Sequence, residues 1–157
     1  MNTMAQPKRY VVGFALDDEG RVALIRKRRP EWQAGHLNGI GGHIEDSDAS
    51  PLAAMQREFQ EETGHRLSEG AWQLMLRMTF AGAEIFFYRT RVEAATLNLL
   101  QTTTDEEVVV VPLATVASVA LSGGAVVANL AWLLPLAAYA ADTYSPFVLQ
   151  AGHAVSV

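Results

Sequence analysis

Arg57-Glu58-Phe59-Gln60-Glu61-Glu62-Thr63-Gly64 carries more structural information than any other part of the chain. On a helix, Glu58, Glu61 and Glu62 stand at i, i+3 and i+4 and crowd one side, where like charges repel by roughly 0.2–0.5 kcal/mol per pair. A chain keeps such a cluster more readily when something positive rests on it. Carboxylate oxygens are hard donors, and the matching guest is a hard divalent cation such as Mg²⁺. Arg57 precedes the acids and is placed to hold one of them.

The helix around this cluster has marked ends. Ser50 is a favoured N-cap residue, and Pro51 suits the first helical position. Leu52, Met55, Phe59 and Thr63 recur at helical spacing and form a core-facing stripe. The acids lie about a quarter-turn round from that stripe, so one side of the helix goes to a sheet and the other to a cleft. Gly64 is expected to close the helix in the left-handed conformation. Just upstream runs Gly39-Ile40-Gly41-Gly42-His43-Ile44-Glu45. Its glycines let backbone approach the helix where a Cβ would obstruct.

Together the glycine loop and the acidic helix resemble the Nudix box of the MutT-like hydrolases, G-x5-E-x7-R-E-U-x-E-E-x-G-U with U a bulky aliphatic residue. Gly42 supplies the opening glycine, and Arg57, Glu58, Phe59, Glu61, Glu62 and Gly64 fill the later half. Two positions depart from the pattern. Asp48 follows Gly42 at the expected distance, but eight residues instead of seven then precede Arg57, as if one had been inserted and Asp put in place of Glu. The last position is His65. The departures bear on loop geometry and leave the three helix carboxylates in place.

The resemblance implies a chemistry: water attacks a phosphoanhydride of a nucleoside diphosphate linked to another group. By the family pattern Glu58, Glu61 and Glu62, with the backbone carbonyl of Gly42, hold Mg²⁺ or Mn²⁺. Arg57 orients a glutamate. A general base in several members is a glutamate of a later loop, and Asp105-Glu106-Glu107 sits where that loop is expected, with Glu106 preferred over Glu107. Ala34-Gly35-His36-Leu37-Asn38-Gly39-Ile40-Gly41-Gly42 is similar to a loop of members that hydrolyse oxidised purine nucleoside triphosphates, in which an asparagine reads the base. Asn38 holds that position, and its amide can both donate and accept; Asn38 equally suits a turn. Leu37 and His43 replace that loop's tryptophan and lysine. Gly41 is placed with Asn38 on the substrate side. Hydrolysis of ADP-ribose or another nucleotide sugar, and a Nudix-fold binding module without catalysis, are the alternatives.

Outward from the motif, Tyr10–Leu16 and Val22–Ile25 are apolar, β-branched runs around Asp17-Asp18-Glu19-Gly20, and read as a hairpin. Arg26-Lys27-Arg28-Arg29 follows. It is either a solvated strand end or a set of cations facing phosphates, which makes Arg26 and Arg28 candidate substrate contacts. Residues 30–38 read as a loop. Trp72–Phe80 and Glu84–Val92 read as strands joined through Ala81-Gly82-Ala83. Gln101–Glu107 is polar, Val108–Val111 a short strand closed by Pro112, Leu113–Val119 a helical turn, and Ala125–Ala141 a helix that Pro135 kinks or restarts. The tail beyond Asp142 carries no clear signal. Strands on either side of one central helix, with a second helix late in the chain, fit an α/β fold. The resemblance implies the same: one Nudix domain over residues 1–157, a three-layer α/β/α sandwich with a mixed central sheet.

Composition narrows the partners. A chain of 157 residues is long enough for one substantial core. Its net charge of −5 argues against coating a nucleic-acid polymer, though a small nucleotide is compatible because metal ions neutralise phosphates locally. There is no cysteine, so no disulfide or thiol chemistry. Residues 1–9 lack the apolar segment of a signal peptide, and both features fit a cytoplasmic protein. Residues 108–141 carry no charge, but Pro112, Gly123-Gly124, Asn129 and Pro135 interrupt them, and the most apolar window falls short of the ~20 residues a membrane span needs. A buried strand and a buried helix are expected there. Many relatives of this kind dimerise, and a homodimer is admissible.

Overall fold

Period-two alternation in the first strands sets the layering. The computed structural model describes residues 6–139 and 147–150. β1 (Lys8–Leu16) and β2 (Arg21–Arg26) pair antiparallel through Ala15–Ala23 and Leu16–Val22. Phe14, Leu16, Val22 and Leu24 point to one face of the sheet, and Val11, Ala15, Ala23 and Ile25 to the other. Both sets are buried, as strands covered by helices on both sides require.

The chain continues through a 3₁₀ turn (Glu31–Gln33), β3 (Leu37–Asn38), β4 (Ile40–His43), α1 (Pro51–Thr63), a second 3₁₀ turn (Glu69–Ala71), β5 (Gln73–Phe80), β6 (Ala83–Arg91), α2 (Ala94–Leu99), β7 (Glu107–Pro112), α3 (Leu113–Leu121), α4 (Leu130–Ala138) and β8 (Phe147–Gln150). The sheet runs β3-β2-β1-β6-β5-β8, with β4 also on β1 and β7 also on β2. β1 with β6 and β5 with β8 are parallel, and the other pairings are antiparallel. The sheet is therefore mixed. Met55 and Phe59 of α1 and Leu97 of α2 fill one face, whereas Val116 and Ala120 of α3 and Leu130, Leu133 and Leu134 of α4 fill the other. This is the expected three-layer α/β/α sandwich.

One irregularity positions the site. Toward its C-terminal end β1 lies against β2, but at Tyr10–Gly13 it takes β4 instead, with Val11 opposite Gly42 and Val12 opposite Gly41. β1 thus forks, and the glycines of β4 line the fork under α1.

Several local expectations change. The glycine-rich segment and the end of the loop before it are strands, because β1 and β2 offer free edges there. The late helix starts at Leu130 and not at Ala125, since the Ala125 carbonyl and the Val127 N–H instead bond the Leu37 backbone. It holds Pro135 in its last turn, and its expected end at residues 140–141 lies outside the described residues. The turn after Pro112 lengthens into the nine residues of α3. α2 and β8 carried no legible signal. No helix of the described residues is long and apolar enough to cross a membrane.

Candidate active site

α1 is built as its sequence demands. The Ser50 hydroxyl accepts from the Ala53 N–H at 3.0 Å, Pro51 occupies the first turn, and Gly64 closes the helix with φ of 69°. Met55, Phe59 and Thr63 are buried and Leu52 half-buried, so the stripe faces the sheet. The last carbonyls of a helix have no partner within it. Here the segment 101–103 supplies them: the Gln101 and Thr103 N–H groups donate to the Thr63 and Glu62 carbonyls at 3.1 and 3.4 Å, and the Thr103 hydroxyl donates to Glu61 O. That docking carries the acidic loop before β7 to the C-terminal end of α1.

The three helix acids sit at different depths. Glu61 is largely exposed, Glu58 is mostly covered and Glu62 is buried. Arg57 ties the set to the loop before α1. Its Nε and Nη2 each donate to one Asp48 oxygen at 2.9 Å, and Nη2 also reaches the His43 carbonyl at 2.9 Å. Nη1 donates to Glu58 Oε1 at 2.9 Å and Glu61 Oε2 at 3.1 Å. The bidentate bond to Arg57 holds the Asp48 carboxyl below its ordinary range against the effect of its own burial. Asp48, displaced by one residue in the sequence, is therefore the acid that anchors Arg57.

Burial raises the Glu58 carboxyl, and Arg57 opposes the rise. Glu62 is shifted further, to about 8. Burial is the main cause, Glu58 and Glu106 add to it, and the Lys27 ammonium and the Gly41 N–H work against it. Glu62 Oε2 is buried and has no hydrogen-bond partner.

Two glycines are fixed by contact. A Cβ on Gly42 would fall 2.5 Å from Glu58 Oε1, so Gly42 leaves room for that carboxylate. A Cβ on Gly41 would fall 1.9 Å from the Val11 carbonyl oxygen, in the backbone of β1 itself. Gly41 and Gly42 thus stand beside Glu62 and Glu58.

The basic run after β2 meets the acidic loop partner by partner. Arg26 pairs with Glu107 at 3.2 Å and Arg29 with Asp105 at 2.8 Å, and Arg28 donates to the Asp105 carbonyl at 3.3 Å. Lys27 Nζ donates to Glu106 Oε1 at 3.1 Å. It also lies 2.9 Å from Oε2, an ion-pair contact. Glu106 is buried beside Glu62, whereas Glu107 lies outside on Arg26. Arg26 and Arg28 thus have protein partners, and Asn38 does too: its Nδ2 donates to Gln33 at 3.0 Å and its Oδ1 accepts from the Gly39 N–H at 2.8 Å. The structure gathers Gly41, Gly42, Arg57, Glu58, Glu61, Glu62 and Glu106 into one neighbourhood, and it sets Asn38, Arg26 and Arg28 in contacts of their own. Lys27 had only its place in a basic run to mark it. Two open clefts flank α1: about 930 Å³ between the start of β1 and residues 43–51, including Asp48, and about 540 Å³ along Arg57, Gln60, Glu61 and Arg66.

These residues suit a hard cation. All the donors are oxygens, the buried Glu62 Oε2 and Glu106 Oε2 have no hydrogen-bond partner, and Gly42 leaves the space a side chain would fill. Among the described residues no three His, Cys, Asp or Glu side chains already converge as a ligand set. Arg57 Nη1 holds Glu58 and Glu61 together, and Glu62 lies deeper.

The sequence pattern of the NUDIX domain matches residues 6–136. No curated protein matches the chain. Among solved structures, a protein of Deinococcus radiodurans superposes with a TM-score of 0.65 at 18% identity, covering 88% of this chain and 90% of its own. A MutT from work on Aliivibrio salmonicida and Vibrio cholerae gives 0.58 at 21% identity, covering 71% and 84%. A MutT/nudix family protein of Enterococcus faecalis gives 0.58 at 16% identity, covering 69% of this chain and 45% of that longer one. At these identities the superpositions speak for the fold.

Proposed function

Since this chain belongs to the Nudix family, we propose that it is a Mg²⁺-dependent pyrophosphohydrolase that cleaves a nucleoside triphosphate to the monophosphate and pyrophosphate. The observation that carries this reading is the buried Glu62 carboxylate, set against Gly41 and Gly42 at the fork of β1 with one oxygen unpartnered. A carboxylate in that position raises the energy of the fold unless a cation completes it.

In this reading Glu58, Glu61 and Glu62, with the Gly42 carbonyl, hold Mg²⁺ or Mn²⁺. A divalent cation there would supply charge neutralisation for the polyphosphate and a more acidic water. Glu106, buried beside Glu62, is the group that takes the proton of the attacking water. Arg57 positions Glu58 and Glu61 and touches no substrate. Arg26 and Arg28 reach the phosphates by exchanging their contacts with Glu107 and Asp105. Asn38, with the backbone at Gly41, contacts the nucleotide after releasing Gln33. The similarity of residues 34–42 to the oxidised-purine loop favours a purine nucleotide.

A panel of nucleoside triphosphates, oxidised purine triphosphates, ADP-ribose and nucleotide sugars, assayed with Mg²⁺, tests the substrate class. Triphosphates are expected to yield monophosphate and pyrophosphate. AMP and ribose phosphate from ADP-ribose alone would replace this reading, and no cleavage of any member would point to a binding module. Asn38→Ala is expected to flatten the preference among bases while basal hydrolysis persists; an unchanged preference removes Asn38 from the site.

A further inference from the structure

Lys27 stands apart from the other members of the basic run. Arg26–Glu107 and Arg29–Asp105 are solvated pairs, with side chains 43% to 69% exposed. In the Lys27–Glu106 pair the side chains are 16% and 7% exposed. The backbone around Lys27 is also pinned: its N–H donates to the His36 carbonyl at 2.8 Å and its carbonyl accepts from Gly35 at 2.7 Å. The ammonium is therefore delivered to the interior by fixed backbone.

It arrives where negative charge is concentrated. Glu62 and Glu106 are both buried and close enough to repel, and Glu58 adds to their field. Arg57 serves Glu58 and Glu61 from the other side, through bonds that do not extend to Glu62. Among the described residues Lys27 is the cation paired with Glu106 and facing Glu62, and once both acids are ionised one ammonium leaves one negative charge over.

We infer that Lys27 is the internal counter-ion of the candidate metal cradle, neutralising Glu106 beside Glu62 while no metal is bound and yielding that position as a divalent cation enters. This rests on the metal reading given above. Lysine suits the task because it is a point charge on a flexible stem, able to swing away where the planar fork of an arginine would stay engaged. Its presence has two opposite effects. It stabilises the empty cradle, and it repels an incoming cation, so the metal affinity is lower than the acids alone would give.

The test is a Mn²⁺ titration followed by electron paramagnetic resonance at pH 9, with thermal unfolding of the metal-free and Mn²⁺-saturated protein. Lys27→Met keeps the stem and removes the charge. It is expected to lower the Tm of the metal-free protein while tightening the Mn²⁺ Kd roughly three- to tenfold, so that saturating Mn²⁺ raises Tm more than in the unaltered chain. Lys27→Arg is expected to recover the metal-free Tm and to bind Mn²⁺ no more tightly than the unaltered chain. If Lys27→Met does not fold, Lys27→Gln carries the same expectation. An unchanged or weaker Kd, with equal loss of Tm with and without Mn²⁺, overturns the inference and leaves Lys27 a structural ion pair. Should the unaltered chain itself bind no Mn²⁺, this inference and the metal reading fall together. Metal-dependent hydrolysis with an unchanged Kd removes the inference alone.

Discussion

At the scale of single residues, Glu62 has the largest consequence. Its carboxyl is raised from 4.5 to about 8, mainly by burial. In that interval the folded metal-free chain holds a proton that the unfolded chain has released. Stability therefore declines as pH rises from about 4.5 to 8, by at most about 1.4 kcal/mol per pH unit from this group. Glu62→Gln removes the slope. Urea midpoints of the metal-free protein between pH 5 and 8.5 are expected to fall less steeply in the variant than in the unaltered chain, and parallel curves would show that Glu62 is not the group responsible. The acids and Arg57 were legible because i, i+3, i+4 spacing is local information. The partners that give them meaning were not. Arg57 meets Asp48 across an irregular loop, and Lys27 meets Glu106 across 79 positions of sequence.

At the scale of elements, β4 and the loop before β7 do the positioning. The two glycines of β4 make opposite predictions. On Gly42 a Cβ would meet only the end of a flexible side chain, so Gly42→Ala moves the Glu58 carboxylate and leaves the strand. It is expected to change stability by less than about 1 kcal/mol and to weaken Mn²⁺ binding clearly. On Gly41 the Cβ would meet the backbone of β1, which cannot step aside without breaking the β1–β4 pairing. Gly41→Ala is expected to lose about 2–3 kcal/mol or more. Chemical denaturation beside metal titration checks both, and equal losses of stability would contradict the distinction. The caps of α1 could be read directly, since Ser50, Pro51 and Gly64 are punctuation with known geometry. β4 could not, because glycines disfavour strands and only the exposed edge of β1 makes these residues one.

At the scale of the molecule, the sheet separates two apolar cores, and the site belongs to the α1 side. Leu133 of α4 is fully buried in the opposite core. Leu133→Ala is expected to cost about 2–5 kcal/mol of stability while leaving the kcat of the remaining folded protein unchanged; a large fall in kcat would show that the far core shapes the site. The layering could be foreseen from apolar runs around one amphipathic helix. The fork of β1 and the parallel β1–β6 pairing depend on which edges meet after folding, and residue order alone does not specify that.

In the proposed reading the acidic side of α1 holds divalent cations for phosphoanhydride hydrolysis. The most direct test follows pyrophosphate release from a nucleoside triphosphate with Mg²⁺, with Mg²⁺ removed by chelator, and in Glu61→Gln at equal folded concentration. Turnover is expected with Mg²⁺, with loss on chelation that readdition restores and a fall of orders of magnitude in the variant, whose fold survives. Hydrolysis that continued undiminished without metal, or in Glu61→Gln, would contradict that reading.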